Sequence, residues 1–475
     1  MKSSRAASAA VVVAAACSTC AAASCSNILA PAYSTPSVAS GWTAQLVVNG
    51  LTKPRSIEFD TKGALLVVDS GVGIRRITFT DNGGTCLQVD QNTLLVNQTS
   101  LNHGLALSSD GSVLYASSAA AVFAWSYDAD AGTVSSDPQT VVDNMSNNDL
   151  TTRTLLMSQK QDGMLVVSRG SGDDDDVAAL DVSSGLSQIR AFTLANLTST
   201  SEAYDFDSAG RLLGWGLRNS VGVAEHPVTG GIYSVENSID GATRDGQDIH
   251  ENNPGEELNF HGFLNGTTAD QGGNYGYPNC YALWNTSIPD LDGLTVGDQF
   301  SMTQNSTLND TVCADDYVAP RLTMPAHYAP LDIKFTSDGA TAYISFHGSF
   351  DKTNPVGYRV AEVSFNPTTG EPVAAADSTD ALTDVISNPD NTKCPGACFR
   401  PVGLAWDSED RLFMSSDATG EIYVLLKSSS TATSSASGTM VTPTASAKSA
   451  AGRAWAWETK VLGAAAAIAA TLFLM

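Results

Sequence analysis

The sequence predicts an all-β chain folded as a six-bladed β-propeller with a decorated insertion. It contains 40 Gly and 18 Pro and few long apolar stretches of helical period, which favours strands joined by turns. One hairpin pattern also recurs: an alternating apolar run, a polar turn with Asp or Gly, and a second alternating run. Such repetition is typical of propeller blades and fits a pair of β-sandwiches less well. The six copies are residues 56–70, 104–118, 154–170, 222–237, 332–348 and 403–417.

The insertion is expected between the fourth and fifth copies. Residues 239–325 contain four N-x-[ST] sequons and two cysteines, which indicates a decorated surface segment together with outer strands. Residues 204–216 resemble another hairpin, and we expect them to form outer strands of the third or fourth blade. Sequons along the whole chain indicate a glycosylated surface, at Asn97, Asn144, Asn196, Asn265, Asn285, Asn305 and Asn309.

The two ends of the chain have the order of processing signals. Residues 1–23 combine a basic start, an apolar stretch and small residues, as in a secretory signal peptide. Residues 428–450 form a Ser/Thr-rich stalk, and residues 451–475 resemble a GPI-attachment signal. The apolar tail is shorter than the roughly 20 residues of a spanning helix, so a single-span anchor is the rival interpretation. Residues 24–427 remain as the propeller domain of a secreted, GPI-anchored protein.

The charge balance excludes two classes of partner. Lys and Arg total 25 and Asp and Glu total 50, so the formal charge is −25. Binding nucleic acid requires a basic footprint, and docking on an anionic membrane by charge requires one as well. We therefore expect no nucleic-acid partner and contact with a membrane through a lipid anchor only.

Six cysteines remain once the signal peptide is removed, and this even number predicts three disulfides in an oxidising compartment. Fifteen pairings are possible in principle. Their positions suggest a tight loop, a staple within the insertion and a tie for the N-terminal arm. These pairs would be Cys394 with Cys398, Cys280 with Cys313, and Cys25 with Cys86.

A His or an Arg recurs at corresponding positions beside the repeated hairpins. It stands just before the first strand of the hairpin or just after the second. If the entering strands are innermost, these side chains converge on the axis of the propeller. Converging guanidinium groups in an acidic protein suit a polyanionic ligand, since they pair with carboxylates bidentately. The alternative for each residue is a surface or interblade salt bridge. The candidates are Arg55, His103, Arg218 with Asn219, His347 and Arg400.

Two further loops carry ligand-binding chemistry. Residues 245–259 combine carboxylates, amides and a tight turn at Pro254-Gly255, and carbonyl and acidic oxygens are the ligands that Ca²⁺ takes. A solvated acidic loop is the alternative interpretation of this segment. Residues 272–278 include Tyr275, whose ring could form the floor of a site for a planar ligand.

Taken in order, the motifs KPRS, LNHG, GLRN, ENNPGEELN, GGNYGYP and RPVGL resemble the glucose/sorbosone dehydrogenase family. The resemblance is greatest to its secreted fungal branch, the PQQ-dependent pyranose dehydrogenases, and covers about residues 40–427. It implies a propeller that holds pyrroloquinoline quinone (PQQ) beside Ca²⁺ at the channel mouth. The implied reaction is hydride transfer from a hydroxyl-bearing sugar carbon to PQQ. Since no haem domain is visible, the resemblance also implies an external electron acceptor, a quinone or a haem protein.

The resemblance assigns roles to the candidate residues. His103 would be the general base, and Arg218 would stabilise the charge that gathers on the quinone. The implied contacts of the cofactor are Arg55, Arg218, Asn219, Tyr275, His347 and Arg400. The implied Ca²⁺ ligands are main-chain carbonyls at Asn253 and Pro254, where the family has Gly-Pro. A Ca²⁺-dependent propeller hydrolase such as a lactonase and a non-catalytic binding propeller stay open, because a fold does not settle a function.

Overall fold

The computed structural model describes residues 25, 28–198, 200–291 and 293–428. The predicted signal peptide, the predicted stalk beyond its first residue and the predicted GPI-attachment signal all lie outside the described residues. Within the described ranges, no helix is both long enough and apolar enough to cross a bilayer.

Six antiparallel sheets form the blades of a propeller, which confirms the predicted architecture. Each predicted hairpin supplies the first two strands of its blade. The first blade has the strands Pro54–Phe59, Leu65–Asp69, Gly73–Asp81 and Leu87–Val96. The second has Leu101–Leu107, Val113–Ser118, Val122–Asp128, Gln139–Asp143 and the short Thr133–Val134. The third has Leu155–Met157, Met164–Arg169, Gln188–Thr193 and Arg211–Trp215.

The other three blades repeat this order. The fourth has the strands Ser220–Glu225, Gly231–Glu236, Glu256–Phe263 and Leu322–Met324. The fifth has Pro330–Phe335, Thr341–Phe346, Arg359–Ser364 and Thr383–Ser387, with Ser37–Val38 at its edge. The sixth has Pro401–Trp406, Leu412–Ser416, Glu421–Lys427 and Trp42–Val48.

The sixth blade joins the two ends of the propeller. Its outer strand, Trp42–Val48, pairs antiparallel with Glu421–Lys427. The inner strands of consecutive blades lie side by side, and Pro401–Trp406 of the sixth lies beside Pro54–Phe59 of the first. The ring is therefore closed by a sheet that contains strands from both ends of the domain. The hairpin pattern did not predict this strand, because it pairs with a partner more than 370 residues away in the chain.

The blades pack face to face because the middle strands are apolar on both faces. The strand Leu65–Asp69 is buried along its whole length. Buried serines add a polar link, since a hydroxyl from the second strand of one blade donates to a carbonyl at the start of the next inner strand. These bonds are Ser117 Oγ to Arg153 O (2.6 Å), Ser345 Oγ to Val402 O (2.5 Å) and Ser415 Oγ to Arg55 O (2.6 Å). They fix the chain at the end of the ring where the candidate residues lie.

Residues 239–325 combine outer strands of the fourth blade with a surface insertion, as predicted. The insertion begins its helix, Asp310–Asp316, at Asn309, whose side chain accepts a hydrogen bond from Val312 N. Its short strand pairs are Thr243–Arg244 with Gln247–Asp248 and Cys280–Ala282 with Gln299–Ser301, and Gly273–Asn274 extends the third blade. The 3-10 turns are Val177–Leu180, Val182–Ser184, Leu194–Asn196 and Asn391–Lys393.

Residues 204–216 divide between two blades. Arg211–Trp215 is an outer strand of the third blade, as predicted. Tyr204–Asp205 instead pairs with the edge of the second blade, at Gln139–Asp143, so that part of the prediction was wrong. Phe206 holds the segment there, because it is fully buried in the apolar cluster shared by the second and third blades.

All three suggested disulfides are present within the described residues. Cys25–Cys86, Cys280–Cys313 and Cys394–Cys398 have Cα–Cα separations of 5.4, 5.6 and 5.4 Å, within the usual range. The last of these closes the loop that directly precedes Arg400.

Candidate active site

A cavity of about 320 Å³ opens at the end of the propeller where the inner strands begin. Residues before the inner strands of the fourth and sixth blades line it, together with residues that follow the second strand of the fifth. The structure therefore brings four sequence-predicted residues to one cavity. These are Arg218, Asn219, His347 and Arg400, and the predicted Pro254 joins them.

Arg218 is 6% exposed and is held from both ends. Its peptide N–H donates to Glu236 Oε1 at 2.6 Å, and its Nη1 donates to the Asn237 carbonyl at 3.3 Å. Its Nη2 pairs with Asp174, and with Asp240 Oδ2 at 3.5 Å. The Nε atom is buried with no hydrogen-bond partner among the described residues. The guanidinium group therefore keeps donor capacity in the wall of the cavity.

Arg400 is fixed by main-chain oxygens of the fifth blade. Its Nε donates to His347 O at 2.9 Å and its Nη2 donates to Gly348 O at 2.8 Å. The guanidinium carbon lies 5.6 Å from the centroid of the Tyr358 ring. Since these oxygens are uncharged, the positive charge of Arg400 is not neutralised by the groups that position it.

A chain of hydrogen bonds connects residues of four blades beside the cavity. His347 Nε2 lies 2.8 Å from Asp417 Oδ1, and Arg55 Nη1 lies 2.7 Å from Asp417 Oδ2. Arg55 Nε donates in turn to His103 Nδ1 at 3.3 Å. Arg55 and His103 do not line the cavity, so their link to it runs through Asp417 and His347.

The electrostatic environment of these hydrogen-bonded side chains determines which of them are protonated at neutral pH. Burial would raise the pKa of Asp417, but the hydrogen bond from His347 and the charge of Arg55 hold that pKa well below its usual range. Burial lowers the pKa of His347 to about 4, although Asp417 opposes the shift. Burial and the charge of Arg55 hold the pKa of His103 well below its usual value. Both imidazoles are therefore neutral beside an ionised carboxylate.

The hydrogen bonds also assign the tautomers. His103 Nδ1 accepts from Arg55, so the ring hydrogen of His103 is on Nε2. His347 Nε2 faces the ionised Asp417, so its hydrogen is on Nε2 and its Nδ1 has a free lone pair. In this arrangement His347, which lines the cavity, is the imidazole with an unoccupied basic nitrogen.

Two predicted residues lie away from the cavity. Tyr275 is 2% exposed, its hydroxyl donates to the Phe260 carbonyl, and its ring centroid is 4.9 Å from that of His261. It packs between the third and fourth blades and does not line the cavity. The side chain of Asn253 accepts from the backbone N–H groups of Trp284 (2.9 Å) and Asn285 (3.0 Å). Only the main chain of Asn253 is thus free to ligate a metal near Pro254.

Several residues in or beside the cavity were not predicted. Asp417 does not line the cavity but bonds to His347, which does. It follows the second strand of the sixth hairpin, as His347 follows that of the fifth, so position in the repeat could have identified it. Asp240, Glu256 and His327 do line the cavity. Glu256 begins the third strand of the fourth blade and belongs to residues 245–259, the segment that the sequence indicated for Ca²⁺. Asp240 and His327 lie outside the repeated hairpins, where position in the repeat gives no information.

Carboxylates and imidazoles do not form a metal cage in the described part of the chain. No group of three or more His, Cys, Asp or Glu side chains there has the geometry to hold a metal ion. Any Ca²⁺ at the cavity would therefore depend on main-chain oxygens, which Ca²⁺ accepts readily.

Comparison with known proteins gives a consistent result. A PQQ-dependent sugar dehydrogenase of Hypocrea jecorina is 52% identical over 417 residues, which cover 86% of this chain and 94% of that protein. The calcium structure of the Trichoderma reesei family AA12 enzyme is 53% identical, with a TM-score of 0.83 over 85% of this chain and 99% of that one. The holo form of the pyranose dehydrogenase PQQ domain from Coprinopsis cinerea is 35% identical, with a TM-score of 0.79 over 84% and 99%.

The family model described as TrAA12-like matches residues 36–428, which is nearly the whole of the described propeller. With a match of that extent and a relative 52% identical along almost its full length, the chain belongs to the TrAA12-like family.

Proposed function

We propose that this protein is a PQQ-dependent sugar dehydrogenase that oxidises a hydroxyl-bearing carbon of a pyranose and passes the electrons to an external acceptor. The observation that carries the proposal is the pair of arginines, Arg218 and Arg400, in the wall of the cavity. The Arg218 Nε is buried without a partner among the described residues, and the Arg400 guanidinium is positioned only by uncharged oxygens. The names of the relatives agree with this reading.

The residues present fit PQQ. The cofactor carries three carboxylates, and guanidinium groups are the side chains that pair with carboxylates bidentately. A cavity of about 320 Å³ also lies within the usual range for small-molecule sites, at its lower end. Arg218, Asn219, His347 and Arg400 would hold the cofactor, which when bound supplies a quinone able to accept two electrons.

The protein's own contribution is to orient the substrate and to take its hydroxyl proton. His103 is the base that the sequence indicates, and its low pKa keeps it neutral. Its Nδ1 is occupied by Arg55 in this structure. If Arg55 turns to an anionic ligand, that nitrogen is released and can accept a proton. His347 is the second candidate, because its Nδ1 is already free and it lines the cavity.

Ca²⁺ belongs to the proposal through the main chain at Asn253 and Pro254. Pro254 lines the cavity, and backbone oxygens are ordinary Ca²⁺ ligands. The ion would supply positive charge in the cavity that Pro254 and Arg218 both line. A propeller hydrolase built on a carboxylate cage is not favoured, because the described residues contain no such cage.

Reconstitution tests the function directly. The PQQ-free protein is mixed with PQQ and Ca²⁺, and reduction of an artificial dye is followed with a panel of pyranoses. We expect dye reduction that requires both PQQ and sugar and that stops when a chelator removes Ca²⁺. Saturable PQQ binding without oxidation of any pyranose would leave the chain as a binding propeller, and failure to bind PQQ would refute the proposal.

A location and an electron acceptor belong to the same proposal. We propose that the protein is secreted and glycosylated and is attached to the cell surface by a GPI anchor, with a quinone or a haem protein as the electron acceptor. The order of signals at residues 1–23 and 451–475 supports the location. An external acceptor is needed because the proposed reaction leaves two electrons on the cofactor.

A further inference from the structure

We propose that a second cavity, between the fourth and fifth blades, binds a sugar ring outside the cofactor cavity. It has a volume of about 140 Å³, which suits a single ring better than a drug-sized ligand. Its walls combine aromatic, apolar and hydrogen-bonding side chains. The lining residues include Trp284, Thr323, Tyr328, Arg359, Leu382 and Asp384.

The polar part of this wall offers donors and acceptors together. Arg359 Nη1 donates to both oxygens of Asp384, at 2.8 and 2.9 Å, and the pair is partly exposed. Sugar hydroxyls are both donors and acceptors, so an adjacent guanidinium group and carboxylate can bind neighbouring hydroxyls of one ring.

The apolar part suits the C–H face of a pyranose. The guanidinium carbon of Arg359 lies 5.0 Å from the centroid of the Tyr328 ring, which orients both groups but covers one face of that ring. Trp284 and Leu382 are half-buried and complete the wall. Aromatic and aliphatic surface of this kind removes C–H groups from water without excluding the hydroxyls at the rim.

A buried hydroxyl without a partner points independently to a ligand. Thr323 is 2% exposed and lines the cavity, and its Oγ1 has no hydrogen-bond partner among the described residues. Buried polar atoms are seldom left unpaired, because each one costs the free energy of a lost hydrogen bond. A hydroxyl of a bound sugar would supply the missing partner.

The cavity adjoins the cofactor cavity but is separate from it. Tyr328 stands between His327 and Ala329, which both line the cofactor cavity. On the other side, Pro254 lines the cofactor cavity and is followed by Gly255. Because Gly255 has no side chain, Thr323 and Trp284 can lie close to its backbone. A Cβ at residue 255 would lie 2.3 Å from the methyl group of Thr323 and 3.2 Å from Trp284 Cβ. Binding here does not require the oxidation proposed above.

Two sources could supply the sugar ring. One is a free oligosaccharide, and the other is a glycan of this chain attached at Asn285, the sequon residue that directly follows Trp284. The side chain of Asn285 accepts a hydrogen bond from Ser287 N and borders a different cavity, which favours the free saccharide.

The test is calorimetric titration of the folded, PQQ-free protein with cellobiose, maltose, xylobiose and mannobiose. We expect at least one of them to bind, with Trp284→Ala weakening the affinity about tenfold or more. Thr323→Val removes the unpaired hydroxyl at nearly constant volume and should weaken it several-fold. Tyr204→Ala, at a half-buried aromatic on the second blade, is the control and should bind as the unsubstituted protein does.

The same titration distinguishes the sources and can overturn the proposal. Binding by the glycosylated protein assigns the cavity to a free saccharide. Binding only after deglycosylation, reproduced by Asn285→Gln, assigns it to the glycan of the chain. If no disaccharide binds either form, or if Trp284→Ala and Thr323→Val both bind like the unsubstituted protein, the cavity is not a sugar site. Thermal unfolding of each variant verifies that it is folded.

Discussion

Asp417 Oδ1 and His347 Nε2 lie 2.8 Å apart across the joint between the sixth and fifth blades. The other oxygen of Asp417 pairs with Arg55 of the first blade at 2.7 Å. One carboxylate thus ties three blades together beside the cavity. It also sets the tautomer of His347, because an ionised acceptor at Nε2 requires the ring hydrogen there.

Asp417→Asn should destabilise the fold. The substitution removes the buried negative charge opposite Arg55, and breaking one side of a buried ion pair costs about 3–5 kcal/mol. The amide can keep some hydrogen bonding, so we expect a loss near the lower end of that range. Urea unfolding at pH 7 measures it.

Glu371→Gln is the matched control, because Glu371 pairs with Arg321 at 2.9 Å where both side chains are about 40% exposed. Exposed pairs contribute at most about 1 kcal/mol. Equal losses in the Asp417 and Glu371 variants would show that the interblade carboxylate is not a structural tie.

Arg218→Ala should weaken the binding of PQQ. The guanidinium group is buried in the cavity wall and its Nε has no partner among the described residues, so removing it would leave a carboxylate of the proposed cofactor without its partner. A loss of about 3 kcal/mol, roughly a hundredfold in Kd, is expected. Titration of the protein with PQQ, followed by absorbance, measures it.

Arg321→Ala serves as the control for Arg218→Ala, since Arg321 packs on Phe260 and does not line the cavity. An unchanged PQQ affinity in folded Arg218→Ala protein would place Arg218 outside the binding site.

His103→Gln and His347→Gln separate the two candidate bases. Loss of the base should lower turnover by about 10²–10⁴-fold while PQQ remains bound. We expect that outcome for His103→Gln and a weaker affinity for PQQ in His347→Gln, whose side chain lines the cavity. The reverse pattern would assign the base to His347 and leave His103 as a support for Arg55.

His226→Gln is the corresponding control. His226 is buried on the fourth blade, where its Nε2 lies 3.0 Å from the Gly339 carbonyl, and it is not a cavity residue. Its replacement should leave turnover per folded molecule unchanged.

Local sequence pattern predicted the blades but not the closure of the ring. Period-2 alternation marks each inner hairpin because both of its strands are close in sequence. Trp42–Val48 carries no such mark, since its partner Glu421–Lys427 is at the far end of the chain. Position in the repeat also identified Arg218, His347 and Arg400, because these residues lie close in sequence to the strands of the repeated hairpins.

Local sequence did not predict correctly which side chains are buried against a neighbouring blade. Tyr275 lies in a glycine-rich loop that could present its ring to a ligand, but the ring packs between two blades. The sequence of one loop does not contain the neighbouring blade that covers it. Asp240 and His327 were not predicted, because they lie outside the repeated hairpins, where position in the repeat gives no information.

Attachment by a GPI anchor predicts release by an enzyme. Phosphatidylinositol-specific phospholipase C should free the protein from the cell surface, because the apolar tail of residues 461–475 would have been replaced by lipid. Immunoblotting of the supernatant measures the release. Retention after effective treatment, with residues 461–475 still detectable by mass spectrometry, would support the spanning anchor instead.

The stability of the fold should depend on pH through a cluster of buried glutamates on the fourth blade. Glu236, Glu256 and Glu257 are each 5% exposed or less. Burial raises the pKa of Glu257 to about 7, against hydrogen bonds from Asn259, Ala282 and Gln299. An unfolded glutamate has a pKa near 4.5, so between pH 4.5 and 7 the folded protein binds a proton at Glu257 that the unfolded chain has lost.

The sign of the effect follows from that difference. The contribution of Glu257 to stability is fully present below pH 4.5 and is lost as the pH rises through about 7. Buried histidines act in the opposite direction. Burial lowers the pKa of His261 to about 3, so its contribution is present above its usual value of 6.5 and is lost as the pH falls towards 3. Between pH 4.5 and 6.5 the two kinds of group change the free energy of unfolding in opposite directions. Above pH 7 the buried, ionised Glu257 destabilises the folded protein.

Glu257→Gln isolates the glutamate, because a neutral amide of the same shape stands in for the protonated form. Asn259 donates to Glu257 at 2.8 Å, and its Oδ1 has no partner among the described residues, so rotation of its amide gives the new donor an acceptor. We expect the variant to gain stability relative to the unsubstituted protein as the pH rises from 4.5 to 8, by up to about 3 kcal/mol. Urea unfolding at pH 5 and pH 8 measures the difference.

Glu202→Gln, at an exposed position, is the control and should show the same small difference at both pH values. A Glu257→Gln difference that also stays constant between pH 5 and pH 8 would mean that Glu257 is ionised throughout that range in the folded protein.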